Sequence, residues 1–449
     1  MTYSGFSWKS FAWMTLLLGA LSCAKPDREA APKFPLNARD AGMVEDWSSL
    51  ALTLTSQCNG YSDPVASRAM FYLAVCMYET LLPGFDNHVS TQVRLQGLNT
   101  TLPQPEPGLS YNPVIVANQA LYQLVSELYG PAGPANLEAV ANLKDKYIHL
   151  EGATLEDDII LRSKELGNSI GWKLIEYSKA DGLAEAFLDR YPPYSPPQQP
   201  GFWRPTPPDY FSKALLPYWG NAKLALKANE TLLNAPAVLE YSESPNSIIF
   251  AEATEVYNYS RNLNLEQREQ LAYWDSDADY HASPFQHNFL LMRQLLSENN
   301  VSLDRACRLF LRLAIAQFDG NIVAWHLKYK SNLLRPATYI KLHIDRYFVP
   351  EYSALPVPEY VSERALIYGA CSVIFSEEFG YRIPFMDYTQ EMRQDLRDKQ
   401  KSFGSFSEMA HVAALADLYN ATQFRTSIES GISIGQNLGI QVQKLELEK

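Results

Sequence analysis

The chain has 449 residues, with 38 Lys plus Arg against 50 Asp plus Glu and a formal net charge of −12. That balance repels nucleic acid and leaves no basic face for anionic lipid, so neither is an expected partner. The length would accommodate two domains of average size, but it sets only a soft bound.

The first element in chain order is an export signal. Lys9 gives a weakly positive start, and AWMTLLLGALS at 12–22 is an apolar run ending in small residues. It falls short of the roughly 20 apolar residues of a membrane-spanning helix, so 1–22 reads as a signal peptide. Cys23 directly follows Ala20, Leu21 and Ser22 and resembles the acylated cysteine of a bacterial lipobox. The polar, Pro-rich segment behind it suits a tether, here 23–40, between membrane lipid and a domain over 41–449. The expectation is an exported protein, lipid-anchored to the bacterial cell envelope and facing either the periplasm or the exterior. No later window is expected to span a bilayer.

Apolar residues recur at helical spacing over 65–82, 113–129, 155–180, 303–327, 362–377 and 406–419. Ser62-Asp63-Pro64 and Asn112-Pro113 are good helix starts, each with proline in the first turn. The breaks are Pro-rich, most of all YPPYSPPQQPGFWRPTPPDY at 191–210. Its Phe202, Trp203 and tyrosines predict a loop packed over helices, not a flexible linker. Extended alternation is scarce, so the expected fold is all-α, a helical bundle with long Pro-rich connecting loops. No helical-solenoid repeat period is present. Cys58, Cys76, Cys307 and Cys371 lie in apolar helical patterns without the CxxC spacing of a zinc or redox site, and read as buried free thiols.

The stretch KYKSNLLRP at 328–336 carries the chemistry. Fixed donors around a tetrahedral oxyanion are supplied best by an arginine fork and a lysine point charge. Seven residues are nearly two helical turns, so Lys328 and Arg335 are expected on one helix face, with Pro336 ending the helix. Taken alone, this Lys-x6-Arg-Pro pattern is weak.

Its surroundings are more specific. They include GYSDPVASRAMFYLAVCMYETLLPG at 60–84, YNPVIVANQAL at 111–121, PTPPDYFSKALLPYWG at 205–220 and EATEVYNYSRNLNLEQREQLAYWDSD at 252–277. WHLKYKSNLLRPATYI at 325–340, PVPEY at 356–360 and QFRTSIESGISIGQNLG at 423–439 continue the pattern. Together they resemble the vanadium-dependent haloperoxidase and phosphatidic-acid phosphatase type 2 superfamily, and the likeness runs over nearly the whole mature chain. The resemblance implies a helical bundle holding an oxyanion in its core. In phosphatase members one histidine attacks phosphorus and a second protonates the leaving group. In haloperoxidase members the first histidine is vanadate's axial ligand, and the metal-bound peroxide oxidises halide.

Lys328 and Arg335 match the first lysine and arginine of the family's anion cradle, and Ser362 keeps a hydroxyl donor. The remaining positions depart. Glu363 stands where the family has glycine, Arg364 at the acid–base histidine, Asp417 at the second cradle arginine and Gln423 at the nucleophilic histidine. Glutamine cannot attack phosphorus or ligate vanadate as imidazole does, and arginine, with a pKa above about 12, cannot exchange protons near neutrality. Lys328, Arg335 and Arg364 against Glu363 and Asp417 leave a net +1, too little to hold a dianion well. Arg364 is expected to pair with Asp417, and Glu363 with Lys328 or Arg335. Among the histidines, His287 is the candidate for lining the pocket. No cofactor and no metal site are expected, although relatives take vanadate.

The resulting expectation is a catalytically inactive member of this superfamily, with residual binding of a phosphate-like anion or a scaffolding role, and with homodimerisation by analogy. The alternatives are a divergent active haloperoxidase or phosphomonoesterase and a surface glycan-binding lipoprotein. The absence of helical repeats disfavours the last.

Overall fold

Local capping signals set many of the helix starts. Asn112 accepts from the backbone N–H of Val114 and Ile115, Ser283 from Gln286, and Ser405 from Glu408. The computed structural model describes residues 34–98, 101–235, 239–275 and 283–449. The signal peptide, Cys23 and His281 lie outside the described residues. The first half contains α1 (Gly42–Gln57), α2 (Asp63–Leu81), α3 (Pro113–Leu128), α4 (Pro134–Gly152) and α5 (Asp157–Lys179). The second half opens with α6 (Ile248–Arg261), α7 (Leu265–Tyr273), α8 (Pro284–Glu298), α9 (Leu303–Ser331) and α10 (Pro336–His343). It closes with α11 (Glu363–Phe379), α12 (Phe406–Tyr419) and α13 (Arg425–Gln443). Between α11 and α12, β1 (Phe385–Asp387) and β2 (Lys401–Phe403) form a small antiparallel ribbon with Phe385 opposite Phe403.

The core runs through α2, α9 and α11. Every residue of α2 from Pro64 to Leu81 is buried. By length and composition alone, Asp63–Gly84 could cross a membrane, which corrects the expectation that no later window qualifies. In the fold 94 % of that window is buried, and its apolar surface serves the bundle. Phe71 of α2 stacks on Phe318 of α9 at 4.8 Å, and Asp319 beside it accepts from Ala225 N, Leu226 N and Asn229 Nδ2. The long connection after α5 is thereby pinned to the central helix. All four described cysteines are buried and free.

Helices α11 and α13 pack unusually close because α13 presents Gly431, Gly435 and Gly439 to its neighbour. A Cβ on Gly435 would sit 2.0 Å from the carbonyl oxygen of Leu366, which no side chain tolerates. The GISIGQNLG stretch therefore locks α13 against the first turns of α11, where Ser362, Glu363 and Arg364 lie.

The tether boundary at residue 40 is corrected as well. Leu36 is buried and bonds through its N–H to Gly84 O, Arg39 pairs with Glu151 at 2.6 Å, and Asp40 bridges to Ser302. Burial of Leu36 docks 34–40 onto the body. The 191–210 loop packs over the α9–α10 junction. Trp203 N donates to Asn332 O at 2.6 Å, Leu334 N donates to Gly201 O at 3.0 Å, and Tyr194 O–H donates to the Asn332 side chain. These bonds hold the turn that delivers Arg335.

Candidate functional site

Lys328 sits in the last turn of α9, and its side chain is wholly buried. The helix ends at Ser331, and Asn332 follows in the left-handed conformation at φ 50°. Asparagine tolerates that conformation better than most residues. Arg335 is consequently the residue that opens α10, not a second position on the Lys328 helix face. The expected two-turn spacing on one helix is thus corrected to a break between two helices at Asn332.

Both cations are already engaged. Lys328 Nζ lies 2.9 Å from Glu363 Oε2 and donates to Pro358 O and Glu359 O at 3.3 and 3.1 Å. Two of the three ammonium N–H donors go to these carbonyls, and the contact with Glu363 is an ion pair. Arg335 directs each guanidinium nitrogen at a backbone carbonyl: Nε to Val357 at 3.1 Å, Nη1 to Thr422 at 2.9 Å and Nη2 to Leu355 at 3.3 Å. Across the site, Arg364 Nε donates to Asp417 Oδ1 at 3.0 Å and Nη1 to Trp274 O at 2.7 Å. Ser362 caps α11 by accepting from Ala365 N, and its hydroxyl donates to Asp417 Oδ2 at 2.8 Å. Asp417 therefore gathers a guanidinium and a hydroxyl that would otherwise face the chamber.

Charge states follow from burial and pairing. Burial raises the Glu363 carboxyl, but Lys328 and then Arg335 outweigh it and bring its pKa to about 2. Burial lowers Lys328, with Glu363 offsetting part of that effect. For Arg364, burial is opposed by Asp417, which holds the guanidinium above its ordinary value. Glu363 and Arg364 are thus held in their charged forms.

Beneath them lies Glu359, which sequence reasoning missed. It is fully buried, accepts from Phe424 N at 2.7 Å and from Ser427 Oγ at 2.8 Å, and ties PVPEY to the start of α13. A carboxylate set in an otherwise apolar Pro-flanked turn was the available signal. Burial pushes its pKa up from 4.5 to about 7. The folded carboxyl thus holds its proton to higher pH than an unfolded one. Its contribution to stability is complete below pH 4.5 and is lost as pH rises through about 7. Unfolding free energy is expected to fall between pH 5 and 7.5, with a flatter profile for Glu359→Gln. Denaturant titrations across this window check it, and an equal slope in the variant would contradict it.

Two cavities meet at this point. One of about 470 Å³ is lined by Asp63, Phe285, Trp325 and the Glu363–Arg364 pair. The other, about 70 Å³, is lined by Arg335, Glu363, Arg364, Asp417 and Gln423. Gln423 is buried, and its Oε1 has no hydrogen-bond partner among the described residues.

His287, the expected pocket-lining histidine, is corrected to a core residue. It is fully buried, its Nε2 lies 2.8 Å from Asp387 Oδ2, and its ring packs against Trp274 at 5.0 Å. Asp387 on β1 draws the imidazole away from both cavities. His326 meets Gly220 O, His343 meets Tyr241 Oη and His411 meets Ser407 O. Among the described residues no histidine hydrogen-bonds to Lys328, Arg335, Arg364, Asp417 or Gln423.

These residues do not fit a vanadate-type oxyanion. Lys328 and Arg335 are turned to internal acceptors, Asp417 and Glu363 bring negative charge to the wall, and Gln423 offers an amide and no imidazole. No group of three or more His, Cys, Asp or Glu that could hold a metal ion occurs among the described residues.

No family model matches the chain, and no curated protein matches it. Solved structures do. A bacterial vanadium-dependent iodoperoxidase superposes with a TM-score of 0.80 and 26 % identity, over 93 % of this chain and 99 % of that one. A holo-type bacterial vanadium-dependent chloroperoxidase gives 0.64 and 16 %, over 85 % and 91 % of the two chains. An apo-type bacterial vanadium-dependent chloroperoxidase gives 0.61 and 15 %, over 92 % and 98 %. The chain is a predominantly α-helical bundle, structurally homologous at the superfamily level to the vanadium-dependent haloperoxidases.

Proposed function

We propose that this protein is a catalytically silent relative of the vanadium haloperoxidases and type 2 phosphatidic-acid phosphatases, in which ion pairs have replaced the oxyanion. The observation that carries the reading is the pairing of the cradle: Lys328 with Glu363 and Arg364 with Asp417, at 2.9 and 3.0 Å. The iodoperoxidase likeness supplies the activity to test. Gln423 and Arg364 stand at the positions of the two family histidines, and neither side chain can be an imidazole nucleophile or an acid–base group near pH 7. An active divergent enzyme would require another histidine at the cradle, and His287 is bound to Asp387 instead.

The role that remains is binding or scaffolding at the cell envelope. Residues 1–22 as signal and an acylated Cys23 would hold the body to membrane lipid, and a homodimer would leave the cradle untouched. After vanadate loading, iodide oxidation by hydrogen peroxide is expected at the rate of a protein-free control. Hydrolysis of p-nitrophenyl phosphate is expected at background too. Turnover in either assay that disappears in Arg335→Ala would contradict the proposal.

A further inference from the structure

The two ends of α2 face different kinds of space. Asp63 opens the helix at the 470 Å³ cavity beside the cradle, whereas Glu79 and Thr80 in its last turns line a separate cavity of about 330 Å³. At 1.5 Å per residue the two ends stand roughly 24 Å apart. Phe34, Leu102, Leu109, Val116, Leu166 and Ile170 supply the apolar wall of the second cavity, with prolines between them. Among the described residues lining it, Glu79 alone is charged, and its oxygens are taken. Oε1 accepts from Thr91 N and Oγ1 at 2.6 and 2.7 Å, and Oε2 from Ser90 Oγ at 2.7 Å. Thr80 Oγ1 donates to Cys76 O at 2.6 Å, and Gln104 Nε2 to Leu102 O at 3.2 Å. A charged ligand would lose its water there without a counter-charge in return, whereas a hydrocarbon loses nothing.

The cavity also lies where the polypeptide joins the body. Phe34 is the first described residue, and the segment after it is docked by Leu36 N–H on Gly84 O and by Arg39 on Glu151. Cys23 precedes Phe34 by eleven residues, a reach of up to about 36 Å. A tether that short raises the local concentration of a group on Cys23 to the millimolar range. We propose that this cavity seats one hydrocarbon tail carried by the acylated Cys23 of the same molecule. The inference rests on the lipoprotein reading and is independent of the cradle. Anchoring strength grows with each methylene buried in the bilayer, so a tail held by the protein is withdrawn from the anchor. The cavity thereby sets how firmly the body is held to the membrane.

The test uses the full-length protein, made in bacteria fed a palmitate analogue with a diazirine on its tail. Acylation of Cys23 is read by mass spectrometry, and the membranes are then irradiated. Crosslinks are expected within the protein, to peptides covering 102–116 and 166–170. They should fall at least about fivefold in Val116→Trp, which fills the cavity, and in Leu109→Glu, which sets a charge at a wall position 42 % exposed and is spared the cost of full burial. In Cys23→Ser, free of detergent, 1-decanol is expected to give saturable heat that Leu109→Glu weakens. Crosslinks to phospholipid alone would overturn this inference and leave the lipid anchor standing. Crosslinks elsewhere in the protein, unchanged by both variants, would overturn it as well. Cys23 recovered without an acyl group would overturn this inference and the lipoprotein reading together, with the closed cradle untouched.

Discussion

Replacing Glu363 with alanine is expected to cost about 3–5 kcal/mol of stability, the range for breaking a buried pair by removing one partner. Lys328 is wholly buried at the end of α9, and Glu363 is its charged partner at 2.9 Å. Without that carboxylate the ammonium retains only the carbonyls of Pro358 and Glu359. It must then lose its proton or draw water into the bundle. Urea unfolding of Glu363→Ala at pH 7 measures the loss. The double variant Glu363→Ala with Lys328→Met should recover much of it, because an apolar side chain of similar length removes the stranded charge. A loss below about 1 kcal/mol in the single variant would place the pair among exposed surface bridges.

Reversing the four departures should restore an oxyanion site. The variant combines Glu363→Gly, Arg364→His, Asp417→Arg and Gln423→His. Removal of two carboxylates frees Lys328 and clears the backbone at the start of α11. At an effective dielectric of about 20, each unit charge roughly 6 Å from a monoanion is worth about 2–3 kcal/mol. Orthovanadate affinity is therefore expected to rise by at least about 100-fold, read by calorimetry on a variant whose helical circular dichroism matches the parent. Because Gly431, Gly435 and Gly439 hold α13 tightly on α11, the first turn of α11 has a fixed base on which to rebuild the site. No gain in a folded variant would mean that more than these four residues separate the chain from its relatives.

Much of the helical body was legible because its signals are local. The expected helices over 303–327 and 406–419 appear as Leu303–Ser331 and Phe406–Tyr419, and Asn112-Pro113 begins α3 as its cap and first-turn proline require. The residue chemistry of the cradle was also legible, since opposite charges at Glu363 and Asp417 invite pairing with the cations beside them. What the sequence did not reveal depends on a helix break and on distant partners. The left-handed Asn332 separates Lys328 and Arg335 into two helices, although their spacing suits one. His287 lies 100 residues from the Asp387 that buries it, and no periodicity reports such a pair. Glu359 sits between Pro358 and Tyr360, and nothing local reports that Phe424 N and Ser427 Oγ donate to its carboxylate. The docking of 34–40 rests on burial of Leu36 and on the distant partners of Arg39 and Asp40, which no local pattern reports.

Calorimetric titration of the purified protein with orthovanadate, beside Arg335→Ala, addresses the cradle most directly. With Lys328 held by Glu363 and the three guanidinium nitrogens of Arg335 held by carbonyls, the expected result is no saturable heat in either protein. Tight binding in the parent that is abolished by Arg335→Ala would show that the oxyanion still outcompetes the internal pairs, and would contradict the account of a closed site.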